Sequence, residues 1–210
     1  MAFKNTCIVL NNSQDYSNLG RTFIVFGIPR GGTTMVAGVI NILGVDMGTN
    51  LPINSEDNDF NLDYLRSVNC QEPISHIVNT IRKRNSEIEC WGWKFPAASR
   101  YLNKVLSEVR NPHLICVFRD PISTSMRSVL RASNNVFKAI NLTISIQNAN
   151  LSIIEEHKLP TLLVSYEKAV RYPEQFVEEA SSFVNCSSRE LRQKAVDFIS
   201  VKGGYLKLPQ

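Results

Sequence analysis

A chain of 210 residues, 43% of them hydrophobic, is long enough to bury a substantial core, and residues 1–210 are read as a single domain. Its 23 basic and 19 acidic residues leave a formal charge of +4, too mild for a dedicated nucleic-acid binder and sufficient for a small anionic ligand. No apolar run reaches the length of a membrane span, and the stretch before Asn11 is too brief for a secretion signal. The five cysteines (Cys7, Cys70, Cys90, Cys116, Cys186) show no paired CxxC spacing, so a reducing, cytoplasmic setting without a zinc site is expected.

Residues 22–26, Thr-Phe-Ile-Val-Phe, are a β-branched and aromatic run ending at Gly27, the pattern of a buried strand. From Thr33 onward apolar residues at 35, 36, 39, 40, 42 and 43 make a helical stripe, with Gly44 as its stop. Residues 46–63 are polar and rich in aspartate, and read as an active-site loop with a short helix around 59–68. Further strands are expected at 90–94, 114–118 and 161–166, separated by helix-length segments. Pro121 suits the first turn of a helix reaching about Ser133, and helices are expected at 137–157, 173–184 and 188–200, ahead of a Gly203-Gly204 tail. This alternation predicts an α/β fold: a mostly parallel central sheet flanked by helices, a three-layer sandwich like that of P-loop NTPases.

The most informative segment is Gly27-Ile-Pro-Arg-Gly-Gly-Thr-Thr34, between a strand and a helix. Backbone N–H groups there and at the helix N-terminus converge on an anion. The glycine spacing is that of a Walker loop, yet Thr33 stands where an ATPase or kinase carries lysine. Arg30, inside the loop, supplies a guanidinium suited to paired hydrogen bonds with phosphate or sulfuryl oxygens.

Pro29-Arg-Gly-Gly-Thr-Thr34 resembles the 5′-phosphosulfate loop of the sulfotransferases that use 3′-phosphoadenosine 5′-phosphosulfate (PAPS). The resemblance implies that Pro29, Arg30, Gly31, Gly32, Thr33 and Thr34 bind the donor's 5′ end, with Arg30 stabilising charge on the oxygen that bridges phosphate and sulfur. Leu114-Ile-Cys-Val-Phe-Arg-Asp-Pro121 is similar to the family's 3′-phosphate motif, which implies Arg119 as a phosphate ligand. The family usually places serine eight residues beyond that arginine. Here the position is Arg127, so either Arg127 contacts the phosphate or the neighbouring Ser128 reaches it. Leu163-Val-Ser-Tyr-Glu167 looks like the family's Tyr-Glu segment and implies Tyr166 near the adenine; Lys202-Gly-Gly204 resembles a Lys-Gly loop that closes over the 3′-phosphate.

Sulfuryl transfer needs an acceptor in line with sulfur, a base for its proton and cations for the departing phosphate; by analogy with phosphoryl transfer, positioning and electrostatics supply most of the acceleration and no metal is required. Trp93-Lys94-Phe95-Pro96 resembles the site of a catalytic lysine, and Glu56, in Asn54-Ser-Glu-Asp-Asn-Asp59, lies where relatives place a Glu-Asp pair. Lys94 is the second catalytic cation, Glu56 the candidate base and Asp57 the next. His76, His113 and His157 have no metal-ligand spacing. A small-molecule or carbohydrate acceptor is expected, with phenol, lipid head group and peptide tyrosine also open. Two other readings stand beside the transferase: a P-loop kinase, disfavoured by Thr33, and a nucleotide-binding protein without turnover.

Overall fold

The computed structural model describes residues 5–11, 20–132 and 135–200, leaving out the side chains of 127–132. Lys202 and the tail after it lie outside the described residues. Strands β1 (Cys7–Leu10), β2 (Arg21–Gly27), β3 (Cys90–Lys94), β4 (Pro112–Phe118) and β5 (Thr161–Ser165) make one sheet in the order β1-β5-β4-β2-β3. The pairs β2–β3, β2–β4 and β4–β5 are parallel, as the alternation of strand and helix predicts. β1 is an addition: a four-residue strand antiparallel to β5, with Cys7 opposite Val164.

Helices cover both faces. On one side α1 (Thr33–Ile42), α7 (Tyr166–Arg171), α8 (Pro173–Val184) and α9 (Arg189–Ser200) bury Phe23 and Val25 of β2. On the other, α2 (Leu62–Ser67), α3 (Pro73–Glu87), α4 (Leu102–Val105) and α6 (Val136–His157) cover Ile24 and Phe26, so the run 22–26 is buried on alternate sides as a central strand must be. α5 (Pro121–Ala132) packs against α6 in the long connection from β4 to β5. The strand expected over 161–166 ends one residue early: Tyr166 is the first residue of α7, not the last of β5.

The second layer has an aromatic centre. Phe60 stacks on Trp93 at 4.4 Å between ring centroids, and Trp93 on Trp91 at 5.5 Å. Trp93 Nε1 donates to Tyr101 Oη (3.0 Å), which donates to the carbonyl of Phe60 (3.0 Å), so these buried polar groups are satisfied in series. This arrangement fixes the polar segment 54–61 against β3.

Candidate functional site

β2, β3, β4 and β5 run parallel, so Gly27, Lys94, Phe118 and Ser165, the last residues of these strands, all lie at the carboxyl end of the sheet. β2 has neighbours reached by connections running in opposite directions, the place where open α/β sheets form a ligand crevice. Gly27 permits the close packing there, since a Cβ on it would lie 2.5 Å from the carbonyl oxygen of Val117. Asn150 of α6 donates to the Gly27 carbonyl (2.9 Å) and anchors the loop that follows.

That loop turns through Gly31 N–H to the Ile28 carbonyl (2.9 Å) and enters α1 at Gly32, whose φ of 91° belongs to the left-handed region. Arg30 also has positive φ, 66°, a conformation that costs a non-glycine residue about 1–3 kcal/mol and is found mainly at functional sites. Pro29 and Arg30 are exposed, while Gly31, Gly32 and Thr33 are buried. The first N–H groups of α1 have no intrahelical acceptor by helix geometry, and no acidic side chain occupies its first turn. These features suit an anion.

In front of the loop lies a cleft of about 560 Å³, its walls supplied by Pro29, Arg30 and Thr34 of the loop and start of α1 and by Glu56, Asp63 and Lys94 of the neighbouring segments. Lys94, only 2% exposed, directs Nζ to Glu56 Oε1 (3.0 Å), the Asn54 carbonyl (2.9 Å) and Thr34 Oγ1 (3.4 Å). An ammonium has three N–H donors, and all three have acceptors here. Burial lowers the Lys94 pKa, with the charge of Glu56 opposing that shift and Arg30 adding to it. Thr34 Oγ1 itself donates to the Asn54 carbonyl (3.0 Å). Glu56 Oε2 accepts from Asn61 Nδ2 (3.0 Å). The loop threonine, the strand lysine and the loop glutamate therefore form one hydrogen-bonded group.

A second cluster flanks the loop. Arg119, 9% exposed, donates from Nη1 to the Arg30 carbonyl (2.9 Å), and its guanidinium carbon lies 4.3 Å from the centroid of the Tyr166 ring. Tyr166 presses on Gly32 so closely that a Cβ there would sit 2.0 Å from its ring. Glu167 lies 3.7 Å from Arg119 Nε and accepts from the Asp120 N–H (3.2 Å). Arg127 and Ser128 are on α5, and their side chains are among those not described.

Asp57 does not reach the cleft. It is buried, pairs with Arg84 and accepts from the Asp59 N–H, while Arg84 lies over Phe60 at 5.1 Å; this carboxylate holds the loop to α3. Sequence reasoning missed Asn54, which acts through its backbone, as well as Asn61 and Asn150. Asn61 carries one sign of its role: asparagine just ahead of an apolar helical start is a capping residue. Among the described residues no helix is long and apolar enough to cross a membrane, and no three His, Cys, Asp or Glu side chains are grouped as a metal site.

No family model and no curated protein matches the chain in sequence. Among solved structures it is similar to the sulfotransferase domain of the Synechococcus PCC 7002 olefin synthase, with TM-score 0.56 and 16% identity over 91% of this chain and 81% of that one. It is also similar to sulfotransferase STF9 from Mycobacterium avium, with TM-score 0.58 and 12% identity over 89% of this chain and 69% of that one. The likeness is one of architecture: the chain has a sulfotransferase fold.

Proposed function

We propose that this protein is a sulfotransferase that moves a sulfuryl group from PAPS to a hydroxyl or amine acceptor by in-line displacement, working as one domain in a reducing compartment. The observation that carries this reading is the meeting of Arg30, Thr34, Lys94 and Glu56 in one cleft at the N-terminus of α1. A cationic loop, unpaired helix N–H groups and a buried ammonium suit the anionic 5′ end of such a donor, and Thr33 in place of the Walker lysine disfavours a nucleoside triphosphate.

In this reading Arg30 and residues 31–34 hold the 5′-phosphosulfate, Arg119 with Arg127 or Ser128 holds the 3′-phosphate, Tyr166 faces the adenine and Lys202 closes over the nucleotide. When bound, the donor supplies the sulfuryl group, whose sulfur gains the acceptor atom as its bond to the bridging phosphate oxygen breaks. Glu56 receives the acceptor's proton, and Arg30 and Lys94 stabilise charge growing on the bridging oxygen. Lys94 starts with every donor engaged, so it serves that oxygen by releasing one acceptor. The Asn54 carbonyl is lost at least cost, because Thr34 still donates to it. Glu56 keeps lone pairs for the incoming proton, since each of its oxygens accepts one of these bonds.

The test is calorimetric titration with adenosine 3′,5′-bisphosphate and, separately, with ATP plus magnesium, on the wild type, Arg30→Ala and Arg119→Ala. Metal-independent bisphosphate binding, weakened about tenfold or more in each variant, is the expected result. Folded wild-type protein that ignores the bisphosphate and takes up magnesium-ATP would favour the kinase instead. Bisphosphate binding without transfer to any acceptor in a screen of sugars, phenols, amines and tyrosine peptides would leave a nucleotide-binding protein.

A further inference from the structure

Asn61 stands at the junction of two structures with separate requirements. Its Oδ1 accepts from the backbone N–H groups of Asp63 (3.1 Å) and Tyr64 (3.0 Å), capping α2. Backbone N–H groups only donate, so the cap determines which end of the amide faces the helix. The other end, Nδ2, is thereby turned outward, where it donates to Glu56 Oε2 at 3.0 Å. The mount is rigid: the preceding residue, Phe60, is fully buried in its stack with Trp93, and Tyr101 Oη holds its carbonyl. Glu56 is thus gripped at one oxygen by Lys94 and at the other by an asparagine whose orientation the helix has already decided.

We propose that Asn61 is the positioning residue for Glu56, using the helix cap to aim the carboxylate into the cleft; this rests on the reading of Glu56 as the base. Positioning groups act by holding a reacting side chain within a fraction of an ångström, and rigid secondary elements do so better than loops. Of the two grips, only that of Asn61 adds no charge. Lys94 is the cation facing Glu56, and Arg30 and Asp63 complete the charged lining of the same cleft.

The cap offers a way to separate the two duties. Serine and aspartate cap helices about as well as asparagine, so Asn61→Ser and Asn61→Asp both preserve α2. Serine is too short to reach Glu56, and aspartate replaces the donor with a carboxylate. Expected in the transfer assay is a kcat reduced about 10- to 100-fold in Asn61→Ser, with the melting temperature and the bisphosphate affinity unchanged. Asn61→Asp should show a comparable or larger loss and a displacement of the acid limb of its pH–rate profile toward higher pH, because a second negative charge favours the protonated form of Glu56. An Asn61→Ser enzyme with wild-type kcat, or one whose loss of rate is matched by a loss of melting temperature, would overturn the proposal and leave Asn61 as a helix cap only.

A second measurement needs no turnover. The side-chain amide resonances of Asn61 in a ¹⁵N spectrum, assigned by their absence in Asn61→Ser, should move in Glu56→Ala while the backbone resonances of Asp63 and Tyr64 hold still. Unmoved side-chain resonances would contradict the contact itself. If the wild type transfers to no acceptor and these resonances still respond, the transferase reading fails and Asn61 remains the residue that orients Glu56.

Discussion

The two walls of the cleft hold their cations in opposite ways. Lys94 is sealed beneath the segment 54–61, with an acceptor for every donor and a carboxylate 3.0 Å away. Arg30 is exposed on a turn with positive φ, tethered through its backbone carbonyl by Arg119. A buried charge is tolerable only when paired, so the lysine wall must be assembled during folding. An exposed guanidinium carries no such requirement, so the arginine wall is free to be shaped by what it binds. Stability and ligand affinity should therefore separate between the walls.

The largest test of that contrast is Glu56→Ala, which leaves the Lys94 ammonium buried with its carboxylate removed. A loss of about 3–5 kcal/mol in urea denaturation is expected; a loss under about 1 kcal/mol would mean that the pair behaves like a surface ion pair and that the walls are alike. Next comes Arg30→Gly. Glycine relieves the strain of the observed φ but adds backbone entropy to the unfolded chain, and these oppose each other, so stability should fall by no more than about 1 kcal/mol. Bisphosphate affinity should fall by about 10- to 100-fold with the loss of charge-assisted hydrogen bonds. Parallel losses of stability and affinity would erase the distinction.

The smallest effect is a pH slope. Lys94 has its pKa lowered by burial, so the unfolded chain holds this proton more tightly than the folded one. Stability must then rise with pH across the window between the lowered value and the ordinary 10.5. Measured as wild type minus Lys94→Met, the difference should climb by at most about 1.4 kcal/mol per pH unit in that alkaline window. A flat or falling difference would show that pairing with Glu56 outweighs desolvation.

Much of this architecture is legible in the chain because local rules and tertiary context agree there. Residues 22–26 are β-branched and aromatic, and they form a strand buried on both faces; Pro173 opens α8 at its first turn and Asn185 ends it in the left-handed conformation. β1 is not legible locally because four residues, although Ile8 and Val9 are β-branched, are too few to show a period, and only β5, more than 150 residues later, supplies their hydrogen bonds. The site was legible in the same uneven way. Arg30 is legible from the chemistry of its loop, and Lys94 and Glu56 from resemblance, yet that Lys94 and Glu56 bond to each other is a fact about positions 38 residues apart. Asn54 contributes a backbone carbonyl, which no side-chain pattern records. Asp57 and Glu56 look equivalent in sequence, and only the presence of Arg84 beside one of them separates a structural carboxylate from a candidate base.

The aromatic centre of the second layer also makes the molecule its own optical reporter. Trp91 and Trp93 are the chain's two tryptophans, both fully buried on β3, and Lys94 follows directly after the second. Tryptophan emission from this protein therefore arises from a single strand next to the cleft. A ligand that draws Lys94 away from Glu56 or Asn54 should register in the fluorescence, whereas loosening of α8 and α9 across the sheet should pass unseen.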